Sequence, residues 1–108
     1  MKYLKLFKSF KDINKICKKY KIENYTINLD ESIDVNGDVD LSHRKLSKIP
    51  LNFNKVSGNF WINDNNMTSL EGCPKEVDEN FIIRRSKKRF TETEVRKRCK
   101  VLRIVELQ

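Results

Sequence analysis

The chain has 108 residues, of which 38% are hydrophobic and 35% charged, with a formal net charge of +8. This length holds one compact domain, and this hydrophobic content excludes a disordered tail. The N-terminus lacks a continuous apolar stretch, and no run of about 18 apolar residues occurs, so we expect neither a secretory signal nor a membrane span. Three widely spaced cysteines, without a C-x-x-C pair, predict buried thiols in a reducing cytoplasm and no disulfide or metal site.

The charges are segregated along the chain. Residues 1–21 hold eight lysines against one aspartate, and residues 84–103 hold ten basic against two acidic side chains. Between them, residues 22–83 hold eleven acidic and five basic side chains. Two basic ends around an acidic centre predict a molecule with distinct faces.

Residues 1–22 are predicted to form a basic amphipathic helix. Its apolar stripe has spacings of three and four residues and comprises Leu6, Phe10, Ile13, Cys17 and Tyr20. We expect this stripe to cap the open end of the core formed by the rest of the chain. A basic helix of this kind would also suit an anionic membrane or a groove on a partner.

The first ten residues, MKYLKLFKSF, resemble the short leader that directs some phage internal proteins into the head. The glutamate that usually precedes the cleavage point of such leaders is missing here. The resemblance implies a third possible role, that of a minor virion protein.

Residues 25–35 are predicted to form a hairpin. Ile27 and Leu29 alternate with polar residues, a turn follows, and Ile33 and Val35 alternate again. We expect this hairpin to pair with the first strand of the segment that follows and to close that edge.

Residues 35–90 contain an internal repeat, because the evenly spaced Val35, Val56 and Val77 begin three similar segments. Four apolar columns align between the segments: Val39 with Phe60 and Phe81, Leu41 with Ile62 and Ile83, Leu46 with Met67, and Ile49 with Leu70. Two apolar columns at a spacing of two residues predict one short strand in each repeat, stacked in a parallel ladder. The third copy loses the pattern after Ile83, as expected of a terminal repeat.

The second copy, NFWINDNNMTSLEGCP, resembles the L-x-L-x-x-N-x-L-x-x-L-x-x-x-P pattern of bacterial and phage leucine-rich repeats of about 20 residues. Asn65 falls on the asparagine position of that family, where the side chain satisfies backbone groups after the strand. The first copy has Arg44 at this position and the third has Ser86. The resemblance, strongest to short phage-encoded proteins, implies a short solenoid with a binding role and no catalytic residues.

Residues 91–108 are predicted to cap the other end. Thr91 and Glu94 have capping-box spacing, so a short helix over 92–99 follows. The β-branched stretch VLRIVEL then predicts a final strand.

Together these elements predict an α+β fold in a single domain, residues 1–108. It would be a short β-solenoid of two to three leucine-rich-type repeats in a parallel strand ladder. An amphipathic helix would cap its N-terminal end, and a helix plus a strand its C-terminal end.

The sequence offers no set of catalytic, cofactor-binding or metal-ligating residues. His43 is the single histidine and lies in a turn of the repeat, and neither a phosphate-binding loop nor a calcium loop occurs. We therefore expect a binding protein and not an enzyme.

Strand alternation places Asp40, Trp61 and Ile82 in one outward row across the repeats. A tryptophan beside an isoleucine on an outer sheet surface is typical of a contact with another protein. We predict a protein-binding site comprising this row with the flanking Asp64 and Arg85. Burial of the row under a terminal segment is the alternative.

A phage origin would make the partner a host or phage protein, engaged in the host cytoplasm and inhibited during host takeover. The alternative function is binding of nucleic acid or a ribonucleoprotein through the basic end. Its candidate contacts are Arg84, Arg85, Lys87, Lys88, Arg89, Arg96, Lys97 and Arg98.

Overall fold

The computed structural model describes residues 2–107, with side chains from residue 10 onward. The stretch that resembles a leader therefore lies, apart from Phe10, outside the described side chains. Within residues 2–107 there are two helices, α1 (Lys2–Lys19) and α2 (Glu92–Arg98). The strands are β1 (Tyr25–Ile27), β2 (Ile33–Val35), β3 (Val39–Asp40), β4 (Phe53–Val56), β5 (Phe60–Trp61), β6 (Glu76–Val77), β7 (Phe81–Ile83), β8 (Lys100–Val101) and β9 (Val105–Leu107).

The strands wind into a parallel solenoid of about four turns. Each turn contributes one strand to each of two sheets, β2, β4, β6 and β8 to one and β3, β5, β7 and β9 to the other. The strand β1 adds to the first sheet, which has five strands in the order β1-β2-β4-β6-β8, whereas the second has four in the order β3-β5-β7-β9. Only β1 runs antiparallel to its neighbour. The predicted parallel ladder is the four-stranded sheet, whereas the second ladder, in the five-stranded sheet, was not predicted from the sequence.

The predicted columns form the core of the solenoid. Val39 pairs with Phe60 and Phe60 with Phe81 in the strand register, and all three are at most 1% exposed. The rings of Phe60 and Phe81 lie 5.3 Å apart between centroids, and Phe53 packs edge-on against Phe60 at the same distance. Because no single turn buries these side chains alone, stacking is what removes them from water.

The hairpin over 25–35 is confirmed, with Tyr25 opposite Val35. Its second strand, β2, belongs to the first turn itself and pairs in parallel with β4. The edge is therefore closed by β1, whose antiparallel pairing ends the five-stranded sheet at this side.

The N-terminal helix caps the core as predicted. Ile13 and Cys17 on its inner side are buried, and Ile16 and Tyr20 pack partly buried against the same core. The Tyr25 hydroxyl donates a hydrogen bond to the side-chain oxygen of Asn14, which links the helix to β1.

The C-terminal end differs from the prediction in one respect. The helix α2 begins after Thr91 with the predicted capping box, in which Thr91 and Glu94 exchange hydrogen bonds. The single strand predicted afterwards is instead two strands, β8 and β9, which form a fourth turn. Val101 pairs with Val77 in the strand register, and the sequence separation between them is longer than that between Val56 and Val77 in the previous turn. The difference arises because the fourth turn contains α2, which uses more residues than the loops of the earlier turns.

Asn65 holds the bend that follows the strand of the first turn. Its side chain is 4% exposed and makes four hydrogen bonds. The oxygen accepts from the backbone N–H groups of Arg44 and Leu46 at 3.0 Å each, and the amide nitrogen donates to the carbonyls of Leu41 and Asn63 at 2.9 and 3.1 Å. The side chain of Asn65 thus satisfies backbone groups after the strand, which is the role that the resemblance implied for it.

Replacing Asn65 with alanine should lower the free energy of unfolding by about 3 kcal/mol or more, because four backbone groups would lose a partner in a buried bend. Urea denaturation would measure the change. Asn66→Ala, at an exposed neighbouring side chain, should change stability by less than about 0.5 kcal/mol. Equal losses for the two variants would contradict this account of Asn65.

Candidate functional site

The outer surface of the four-stranded sheet carries one row of side chains, here called the Trp61 row, formed by Asp40, Trp61, Ile82 and Glu106. The strand register places these four residues side by side on β3, β5, β7 and β9. Asp40 is exposed, Trp61 is partly exposed and Glu106 is partly exposed. The predicted alignment of Asp40, Trp61 and Ile82 is therefore present, and the last turn extends it by one residue.

Ile82 is only 6% exposed, although it points away from the main core. Its neighbours in the row, Trp61 and Glu106, stand on the adjacent strands, about 4.8 Å away on either side. Arg84, which directly follows β7, forms an ion pair with Glu106. The expectation of an exposed isoleucine is corrected accordingly: Ile82 backs the tryptophan and offers little surface of its own.

Two polar ladders flank the Trp61 row. In the first, side-chain oxygens of Asp38, Asn59 and Asn80 each accept a hydrogen bond from the backbone N–H one turn further on, at 2.7 to 3.0 Å. In the second, Ser42 and Asn63 do the same at 3.0 and 2.8 Å. These side chains satisfy backbone groups at the ends of short strands, so their main polar contacts are internal.

Trp61 differs from its polar neighbours. Among the described side chains its indole N–H has no hydrogen-bond partner and is not one of the buried unpaired groups. The ring is thus partly exposed and retains a free donor. An aromatic side chain with an apolar body and an open N–H is suited to an interface, where both parts find a partner.

Asp64 stands between two cationic or titratable side chains of the neighbouring turns. Its carboxylate lies 3.2 Å from Nδ1 of His43 and accepts two hydrogen bonds from the Arg85 guanidinium, one of them at 2.6 Å. These three residues have left-handed backbone angles, with φ between 53° and 59°. Asp64 and Arg85 were predicted as flanking contacts of the protein-binding site. The sequence analysis did not predict that His43 lies in the same column, although the three residues are equally spaced in the sequence.

The Arg85 guanidinium, through its hydrogen bonds, holds the pKa of the Asp64 carboxyl below its usual value, and the nearby His43 contributes in the same direction. The same pairing raises the pKa of Arg85. At neutral pH the two side chains therefore form a charged pair at the edge of the Trp61 row.

The eight basic candidates for nucleic-acid binding divide into two groups. Arg84 pairs with Glu106, Arg85 with Asp64, Lys88 with Glu94 and Arg96 with Glu92. Within residues 10–107 the other four form no ion pair; they are Lys87, Arg89, Lys97 and Arg98. Half of the predicted patch is thus neutralised by the protein itself.

A cavity of about 550 Å³ lies beside the end of the four-stranded sheet. Its apolar part is formed by Ile83, Phe90 and Leu107, and Arg85 and Arg89 stand at its side. This cavity was not predicted from the sequence, because Phe90 reaches it from a loop outside the repeated columns.

Comparison with protein-family models, with curated proteins and with solved structures gave no match to this chain. No helix within residues 2–107 combines the length and the apolar character needed to cross a bilayer.

Substituting Asp64 with asparagine should lower the free energy of unfolding at neutral pH, because the ion pair with Arg85 is lost while asparagine still tolerates the left-handed backbone. The folded-state pKa of Asp64 lies below its unfolded value, so its contribution is present at neutral pH and disappears as pH falls through that lowered pKa, below about 4. Urea unfolding at several pH values should therefore show that the difference in free energy of unfolding between wild type and Asp64→Asn becomes smaller in acid.

Glu71→Gln is the control, since Glu71 is exposed and within the described residues forms no ion pair. The free energy of unfolding of Glu71→Gln should stay close to that of the wild type at every pH. A gap for Asp64→Asn that does not change with pH would contradict the assigned pairing.

Proposed function

We propose that this chain is a non-enzymatic binding module whose partner is a protein that contacts the Trp61 row. The observation that carries the proposal is Trp61 itself, a partly exposed ring with a free N–H, backed by a buried Ile82. Tryptophan in such a setting is the residue type most often found at the energetic centre of an interface.

The surroundings of Trp61 support this choice of surface. Its polar neighbours Asn59 and Asn63 already bond to the backbone of the next turn. They therefore need no rearrangement when a partner arrives, and a preorganised surface loses less entropy on binding. Asp40 and the pair Asp64–Arg85 supply charged groups at the rim, where they would favour one partner over another.

The setting of His43 supports a role other than catalysis. Its side chain is 72% exposed and pairs with Asp64. General base catalysis places an imidazole against a substrate held in a formed pocket, and a side chain this exposed on a turn offers no such pocket.

The identity of the repeat and its origin belong to the same proposal. The regular spacing of the turns and the buried Asn65 support a relationship with leucine-rich repeats, and the resemblance of the second copy supports a phage source. On this basis the partner would be a host or phage protein in the host cytoplasm, whose activity the module modulates or inhibits. A role as a minor virion protein stays a prediction.

Nucleic acid or a ribonucleoprotein is the weaker candidate partner. Four of the eight basic candidates are paired with carboxylates of the chain, and breaking such pairs would reduce the gain from contacting phosphates. Nuclease treatment separates the two functions, because a nucleic-acid bridge is lost with it and a direct protein contact survives.

Trp61→Ala should weaken partner binding by about 2 kcal/mol or more, since it removes the central aromatic contact. Trp61→Phe keeps an aromatic ring beside Ile82 and should lose less binding free energy than Trp61→Ala. The comparison of the two variants separates the loss of the partner contact from an effect on folding. The measurement is quantitative affinity purification with nuclease, using the wild type and each variant at equal concentration.

Lys55→Ala is the matched control, because Lys55 is exposed on the outer side of the five-stranded sheet. It should retain the same partners as wild type. Partners that survive nuclease and bind Trp61→Ala as strongly as wild type would reject this surface.

A further inference from the structure

The fourth turn differs from the others at the corner that joins its two strands. The corners of the first three turns are residues 36–38, 57–59 and 78–80, and each is made of polar residues or glycine. The fourth, residues 102–104, is Leu-Arg-Ile, and is called the last corner here. Leu102 and Ile104 are 54% and 62% exposed, which makes them two of the three large hydrophobic side chains that are most exposed among the described residues.

Neither apolar side chain serves the stack of turns. Ile104 occupies the ladder position of Asp38, Asn59 and Asn80, and its backbone N–H donates to Asn80 at 3.0 Å. Its own side chain has no acceptor to offer, so the ladder ends there. The backbone of Ile104 bonds to the third turn, but its side chain is 62% exposed and makes no hydrogen bond, so the stack of turns does not explain an apolar residue at this position.

Two cations without an ion-pair partner lie within or next to the last corner. Arg103 stands between Leu102 and Ile104, and Lys100 comes two residues before Leu102; both are exposed, and within residues 10–107 they form no ion pair. The guanidinium of Arg96 ties α2 to the last corner, since it donates to the carbonyls of Val101 and Arg103 at 2.8 and 3.0 Å. The exposed apolar pair is therefore held in place beside two free cations.

We propose that the last corner binds an anionic lipid surface, independently of the protein partner at the Trp61 row. Leu102 and Ile104 insert among the lipid headgroups, while Lys100 and Arg103 contact the lipid phosphates. Apolar area and electrostatic attraction add in this mode of binding, and the last corner supplies both.

Other occupants explain less of this surface. A second copy of the chain would bring two basic ends together, and like charges oppose that contact. Nucleic acid would use the cations but leaves the two aliphatic side chains without a role. The two side chains protrude instead of lining one of the principal cavities, which suits a fluid surface better than a fitted pocket.

The first test measures co-sedimentation of the full chain with vesicles of phosphatidylcholine and phosphatidylglycerol at low salt. Leu102→Ala/Ile104→Ala should weaken binding by about tenfold or more, because the inserted area is lost. Leu29→Ala is the matched control, since Leu29 is 84% exposed in the turn between β1 and β2. It should bind as wild type does; equal loss in both variants would overturn the proposal.

The second test concerns the cations. Lys100→Ala/Arg103→Ala should weaken binding to the same vesicles by about 25-fold, at about fivefold for each basic residue lost from an anionic surface. Lys15→Ala/Lys48→Ala removes the same net charge from exposed positions outside the last turn. A much smaller effect is expected there, and an equal effect would overturn the proposal by showing that binding follows net charge alone.

Vesicles of pure phosphatidylcholine should bind the wild type far more weakly than the mixed vesicles. Failure to bind mixed vesicles would overturn the proposal. So would binding to a DNA duplex that depends on Lys100 and Arg103 but not on Leu102 and Ile104. Neither result bears on the Trp61 row, so failure here leaves the proposed protein contact to its own test.

Discussion

The structure depends on satisfying backbone hydrogen bonds where strands of only two to four residues end. Strands this short leave N–H groups at each bend that the sheet ladder does not reach, and burying them unpaired would cost about 1–3 kcal/mol each. The solenoid meets the need by letting side chains of one turn bond to the backbone of another. Asn65 does this within the core, and Asn59 and Asn63 do it on the outer surface. Because these bonds connect turns, local backbone order and the stacking of the core form together.

Close approach between turns adds a steric requirement to the same design. Gly58 lies where an added Cβ would come within 2.8 Å of the backbone of Gly37, so a side chain there would push two turns apart. Gly37 itself adopts φ of 139°, which L-residues rarely reach. These two glycines are therefore required for different reasons, Gly37 for its backbone angle and Gly58 for the space it leaves.

Much of the core was predictable because period and alternation are both visible in the sequence. Val39, Phe60 and Phe81 recur at equal intervals, and this regularity was enough to predict that they pack side by side. The fourth turn was missed although Val101, Val105 and Leu107 repeat the same internal pattern, because α2 lengthens the spacing and displaces these residues from the period of the earlier turns.

The candidate site was predictable only in part. Alternation along the strands gave the alignment of Asp40, Trp61 and Ile82, since it depends on the register alone. The burial of Ile82 could not be predicted, because Ile82 lies between Trp61 and Glu106, and β9, which carries Glu106, belongs to the turn that was missed. Sequence order likewise could not reveal which arginines and lysines have carboxylate partners.

The column of His43, Asp64 and Arg85 has a consequence for the number and order of the turns. The asparagine ladders would accept a duplicated middle turn, since asparagine can bond to a copy of its own position. The charged column would not, because a duplicate would set one aspartate directly against another, and like charges on adjacent turns repel. Adjacent turns have almost the same shape, but the charge of the side chain in this column differs from one turn to the next. This difference favours the observed order of the turns over an arrangement in which one turn stacks in the place of another.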